Sequence, residues 1–121
     1  AKPDFDSCKL KAEQGDPDAQ MLLGLVFKTE RIPQDYQEDI KWYKKAAEQG
    51  VTQAQNNLGT MYDKGQGVPQ NYVIAYMFYN LAALSGNEEA KTSKDLISQR
   101  MTPLQKKEAI NLTTYKIKNG Q

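Results

Sequence analysis

Apolar residues recur along this chain at the three- and four-residue spacing of amphipathic helices. Ala19, Leu23 and Val26 fall on one face of a segment predicted to be helical from about residue 18 to residue 28. A second stripe predicts a helix over about residues 35–49 and comprises Tyr36, Ile40, Tyr43 and Ala47. The pattern therefore predicts paired helices and no sheet.

This helix pair occurs twice. The tetrapeptide Ala-Glu-Gln-Gly at 12–15 returns unchanged at 47–50, which is 35 positions later. After one extra residue the offset becomes 36, so that Trp42-Tyr43 corresponds to Phe78-Tyr79. A repeat of this length is typical of helical solenoids, because neither helix can bury its apolar stripe without a neighbouring repeat.

Residues that start and stop helices stand at the ends of the predicted elements. Pro69 precedes the second helix of the repeat, Asn71 is its predicted N-cap, and Gly86 follows its end. The same places in the preceding repeat are held by Pro33, Asp35 and Gly50. The boundaries thus support two helices in each repeat.

The motif order runs Ala-Gln-x-x-Leu-Gly-x-x-aromatic, then Gly-x-Gly-Val-Pro-Gln, then aromatic-Tyr-x-x-Ala-Ala-x-x-Gly, and residues 51–86 carry nearly all of it. This order resembles the Sel-like repeat, a relative of the tetratricopeptide repeat. Residues 15–50 depart from it in one loop, where 29–32 replace the glycine pair Gly65 and Gly67. The resemblance implies an all-α fold, a short right-handed superhelix of antiparallel helix pairs.

We expect one domain over residues 1–121, because the two ends read as caps of the repeats. Residues 4–14 align with a second helix that lacks its first, and Cys8 there takes the place of a core tyrosine. Residues 87–121 begin as a third repeat, but the motif fades and gives way to a final helix. Thr102 followed by Pro103 and Gln105 predicts a capping box at the start of that helix, which ends near Lys118.

Charge and composition exclude several classes of protein. The chain has 16 Lys+Arg against 15 Asp+Glu, so it lacks the basic character of a nucleic-acid binder. No apolar run is long enough for a membrane span. A single cysteine excludes an internal disulfide framework. If Ala1 was exposed by a signal peptidase, a periplasmic or secreted protein is expected, and otherwise a cytoplasmic one.

The sequence offers no catalytic, metal-binding or cofactor-binding site, and we expect no enzyme. The absence of histidine removes the commonest general base and zinc ligand. Gly65 and Gly67 fit a turn better than a phosphate loop, and Asp16-Pro17-Asp18 fits a helix N-cap better than a cation site. The aromatic pairs are assigned to the core rather than to a sugar platform, with Trp42 partly exposed.

The resemblance to tetratricopeptide arrays implies that the first helices line a concave groove in which another protein is bound. The groove positions are expected to be Asp18, Met21, Leu25, Lys28, Gln53, Asn56, Thr60 and Asp63. Met21 and Leu25 would contact either a partner segment or the N-terminal helix, whereas the Asn56 amide would pair with a peptide backbone.

The favoured function is an adaptor that binds a partner segment in this groove. The alternative is a small regulatory, inhibitor or immunity-type protein that acts through its edge or convex face. Self-association through the ends of the repeat array is a further partner prediction.

Overall fold

Seven helices account for all regular secondary structure in the part of the chain that the structure describes. The structure is a computed structural model that describes residues 3–30 and 36–120, with side chains for 7–25 and 37–120. The helices are α1 (Pro3–Glu13), α2 (Pro17–Glu30), α3 (Tyr36–Glu48), α4 (Thr52–Lys64), α5 (Tyr72–Leu84), α6 (Glu88–Ser98) and α7 (Pro103–Lys118). The predicted all-α helical repeat is confirmed.

Polar side chains cap the helix starts, as the sequence indicated. The Asn71 carboxamide accepts a hydrogen bond from the Ile74 amide at 3.0 Å. Thr102 and Gln105 form a reciprocal capping box at the start of α7. Asp16 accepts from two backbone amides at the start of α2. Each such cap stabilises its helix by about 1 kcal/mol. The predicted Pro33 and Asp35 boundary lies outside the described residues.

A tyrosine packed on a glycine joins the two helices within each repeat. Tyr79 of α5 lies over Gly59 of α4, and Tyr43 of α3 lies over Gly24 of α2. A Cβ added to Gly59 would stand 2.6 Å from the ring carbon Cδ1 of Tyr79, which is too close for any side chain. Both tyrosines are buried, so glycine is what lets the helix axes approach.

A buried glutamine ties α2 to α1 and another ties α4 to α3. The Gln20 amide donates to the carbonyl oxygen of Ala12 at 3.0 Å, and the Gln55 amide donates to that of Ala47 at 3.2 Å. Both acceptors lie in the last turn of a helix, where carbonyl groups have no partner within the helix. The Ala-Gln pair of the repeat motif is therefore the link between successive repeats.

Trp42 belongs to the core at the N-terminal end of the array. It is 2% exposed and packs in one cluster with Ala12 and Leu23, while its indole nitrogen donates to Glu38 at 3.0 Å. The expectation that Trp42 is partly exposed was wrong, because the indole is buried in this cluster. Cys8 is half-buried against the same cluster, with its thiol 3.5 Å from the carbonyl oxygen of Ala19.

The last helix, α7, lies on α5. Ala109 and Thr113 form the buried side of α7, and the Asn80 amide donates to the Thr113 hydroxyl at 3.3 Å. Because α7 packs on α5, it does not pair with α6 in the way that α3 pairs with α2 and α5 pairs with α4. No helix in the described residues has the length and apolar character needed to cross a membrane.

We predict that Gly59→Leu lowers the melting temperature much more than Gly67→Ala. The leucine would displace the Tyr79 ring, and overpacking of this kind costs about 1–3 kcal/mol or more. Gly67 adopts a φ of 75° in the loop before α5, so alanine there costs about 1 kcal/mol through backbone strain alone. Thermal melting followed by circular dichroism measures both, and equal melting temperatures would contradict the prediction.

Candidate partner-binding site

One position of the repeat recurs on the three first helices and remains accessible on each. It is occupied by Leu25 on α2, Thr60 on α4 and Leu96 on α6, at spacings of 35 and 36 residues. Leu25 is 36% exposed, Leu96 is 60% exposed, and Thr60 is half-buried. We define the first-helix face as the surface formed by Asp18, Leu25, Gln53, Thr60 and Leu96.

Met21 does not contribute to this face. It is 9% exposed and belongs to the core cluster that also holds Tyr43 and Leu58, where it fills space between the two repeats. The expectation that Met21 contacts a partner or the N-terminal helix is therefore corrected. The methionine lies one helical turn before Leu25 on the same side of α2, where the next repeat packs on it.

Asn56 also serves the contact between repeats. It is 2% exposed, and its amide nitrogen donates to the Glu89 carboxylate on α6. Its predicted use as an open bidentate partner for a peptide backbone is corrected, because neither edge of the amide is accessible. The residue instead fixes how α4 lies beside α6.

The remaining predicted residues lie on or beside the first-helix face. Asp18 and Gln53 are exposed, and the Gln53 amide donates to Asn57 at 3.0 Å. The Tyr79 hydroxyl lies between Thr60 and Asp63 and can donate its one proton to either, at 3.1 Å from the Thr60 oxygen and 3.3 Å from the Asp63 carboxylate. The side chain of Lys28 lies outside the described residues.

Two accessible leucines escaped the sequence analysis. Leu96 stands 36 positions after Thr60, but the fading of the motif around Lys94 and Asp95 hid the register of the third unit. Leu22 is 54% exposed and precedes Leu25 by one helical turn. Carrying the repeat register through α6 would have found Leu96.

Two tyrosines that pack on the first helices, Tyr43 and Tyr79, have raised pKa values. Burial raises the pKa of Tyr79 to about 12, with the Thr60 hydroxyl opposing the shift and the Asp63 charge adding to it. Burial and the charge of Asp39 likewise raise the pKa of Tyr43 to about 12, against a smaller opposing effect of Asn57. Both phenols stay protonated at neutral pH, and the Tyr79 hydroxyl acts as a hydrogen-bond donor.

The arrangement suits recognition of a protein segment better than chemistry on a substrate. The face presents leucines on its two outer helices and polar groups on the helix between them. In the described residues no cluster of three or more histidine, cysteine or acidic side chains is placed to hold a metal ion. Apolar contacts combined with a few fixed polar groups are the usual means by which a groove binds a peptide.

Comparison with protein families finds the Sel1 repeat twice in this chain, at residues 17–51 and 52–87. Among solved structures, a protective antigen of uropathogenic Escherichia coli that displays an SLR fold matches with a TM-score of 0.86 and 28% identity. That match covers 94% of this chain and 25% of the antigen. A Sel1 repeat protein from Oxalobacter formigenes matches with a TM-score of 0.65 and 35% identity, over 69% of this chain and 35% of that one.

Curated proteins share the same region. The DAP3-binding cell death enhancer 1 of Rattus norvegicus is 37% identical over 83 residues, which is 69% of this chain and 16% of the rat protein. The chitin synthase regulator SKT5 of Saccharomyces cerevisiae is 35% identical over 65 residues, or 54% of this chain and 9% of the yeast protein. The chain thus spans about a sixth or less of the length of these relatives.

We predict that the stability of the fold decreases as the pH rises from about 10 towards about 12. In the unfolded chain the tyrosines ionise at their usual pKa of 10.0, whereas Tyr43 and Tyr79 keep their protons in the folded state until about 12. The unfolded state thus binds fewer protons over this interval, and unfolding becomes more favourable.

Urea unfolding at several pH values measures this decrease, and Tyr79→Phe should make it smaller. Ultraviolet absorbance of tyrosinate in the native protein should show a fraction of the seven tyrosines titrating late. Titration of all seven together near pH 10 would contradict the assignment.

Proposed function

Because the chain belongs to the Sel1 repeat family, we propose that it is a non-enzymatic scaffold that binds a segment of a partner protein along the first-helix face. A protein-interaction role is what the family and its relatives indicate. One relative is named for binding DAP3 and another as a regulator of chitin synthase. The proposal assigns that general role to the first-helix face of this chain.

The recurrence of one accessible position on three successive first helices supports the proposal most directly. The exposed parts of Leu25 and Leu96 contribute little to the stability of the fold. Burying apolar area stabilises by about 25 cal/mol for each Å² removed from water, and this area stays in water. Two leucines separated by the polar position Thr60 match a segment with apolar side chains at both ends and a polar centre. Covering them would recover that free energy.

The polar residues of the face would fix the orientation of the bound segment. Gln53 offers an exposed amide, and Thr60 is held by the Tyr79 hydroxyl at 3.1 Å. A side chain held in place loses less conformational entropy on binding than a free one, so such groups favour specificity. Asp18 adds a negative charge at the α2 end, which would select against an acidic residue in the partner there.

The regulatory or inhibitor-type alternative uses the opposite side or an edge of the molecule. One observation favours it, namely an apolar cleft among the second helices α3, α5 and α7. A partner that needs only this side would be indifferent to changes on the first-helix face. The following experiment separates the two proposals.

We predict that Leu25→Glu combined with Leu96→Glu abolishes capture of the partner that binds the first-helix face. Placing two carboxylates on the apolar ends of the face should weaken binding by at least about thirtyfold, the equivalent of losing one binding hot spot. Partners recovered by affinity capture with the unaltered chain are identified by mass spectrometry. Each is then titrated calorimetrically against both proteins.

The matched control is Leu84→Glu combined with Leu104→Glu. These leucines are 65% and 74% exposed, so the control makes the same chemical change at accessible sites outside the first helices. Circular dichroism should show that both double variants remain folded. If the control variant no longer binds the partner while the first-helix variant still does, the first-helix face is not the binding site.

A further inference from the structure

The second-helix side of the molecule contains a half-open cleft of about 420 Å³. Its floor is α5, which contributes Ile74, Phe78 and Leu81, and its far wall is α7, which contributes Leu112. Cavities of this size are typical of sites that take small ligands or the anchoring side chains of a partner. The cleft lies apart from the first-helix face and shares none of the residues that define it.

The cleft exists because α5 is apolar on every side but is covered on only part of its surface. Its sequence, residues 72–84, contains no charged residue. Such a helix is normally buried all round. Here α4, α6 and α7 pack closely on it, whereas α3 packs chiefly on α2 and α4. Ile74 and Phe78 are left half-buried in the space between α3 and α7.

The charges around the cleft are predominantly positive. Lys44 on α3 and Lys116 on α7 border it, and Glu48 contributes the one acidic side chain among the lining residues. The whole of α7 carries four lysines and one glutamate, so its net charge is about +3. A ligand with negative charge beside apolar groups would satisfy both features.

We propose that this cleft binds an acidic, amphipathic segment of a partner protein. Aliphatic side chains of that segment would pack on Ile74, Phe78 and Leu112. Its carboxylates would pair with Lys44 and Lys116 at the rim. An amphipathic helix that binds in an apolar groove contacts it through side chains spaced three and four positions apart. The positive rim selects the acidic form of such a helix over a basic one.

The proposal goes beyond the groove function, because it assigns a second surface and the chemistry of its ligand. The probe is a fluorescein-labelled synthetic helix of about four turns with leucines along one stripe and glutamates elsewhere. Two companion peptides replace either the glutamates by lysines or the leucines by serines. Binding to the full chain is followed by fluorescence anisotropy.

We expect the acidic leucine peptide to bind at least about tenfold more tightly than either companion. The variant Lys44→Glu combined with Lys116→Glu should reverse the preference, binding the lysine peptide more tightly than the acidic one. A reversal cannot arise from unfolding, because an unfolded variant would bind neither peptide selectively. The control Lys9→Glu combined with Lys91→Glu changes the net charge equally at exposed positions outside the cleft.

Nuclear magnetic resonance shifts caused by the acidic peptide should concentrate at residues 44–48, 74–81 and 112–116. The proposal is overturned if the acidic peptide fails to bind, if the serine peptide binds equally well, or if the control reverses the preference as strongly. Shifts confined to the first-helix face would also overturn it. Binding of dodecanoate without binding of the peptide would overturn it too, in favour of a small-molecule site.

Discussion

The close approach of a tyrosine ring to a glycine is the contact on which the rest of this structure depends. It occurs between Gly24 and Tyr43 and again between Gly59 and Tyr79. The glycine sets the distance between the two helices of a repeat, and the ring fills the space that a side chain on the glycine would take. The core clusters and the accessible face both follow from that distance.

The same tyrosine connects the core to the surface where a partner is proposed to bind. The ring of Tyr79 is buried in the repeat, while its hydroxyl reaches Thr60 and Asp63 beside the first-helix face. In the preceding repeat, Leu25 stands where Thr60 would supply the acceptor. Packing is therefore shared by the repeats, whereas the polar groups presented to a partner differ from one repeat to the next.

Sequence alone predicted the elements of this fold well because its signals are local and repeated. The caps at Asn71 and Thr102 depend on residues three positions apart, which a sequence displays directly. The assignment of Met21 and Asn56 to the groove failed for a geometric reason. Each lies one helical turn before an accessible residue, Leu25 or Thr60, on the same side of its helix. The neighbouring repeat nevertheless buries it, and the periodicity of a single helix does not contain that neighbour.

The link between repeats has a consequence for how such arrays change over evolutionary time. Gln20 and Gln55 both bind a backbone carbonyl of the preceding helix, not one of its side chains. Every residue type supplies that acceptor, so this hydrogen bond places no demand on the side chain at the accepting position. The third unit carries Lys91 at the equivalent position, and α6 packs on α5 there without this glutamine. One glutamine in each of these two repeats thus allows the unit to follow a neighbour whose accepting residue has changed.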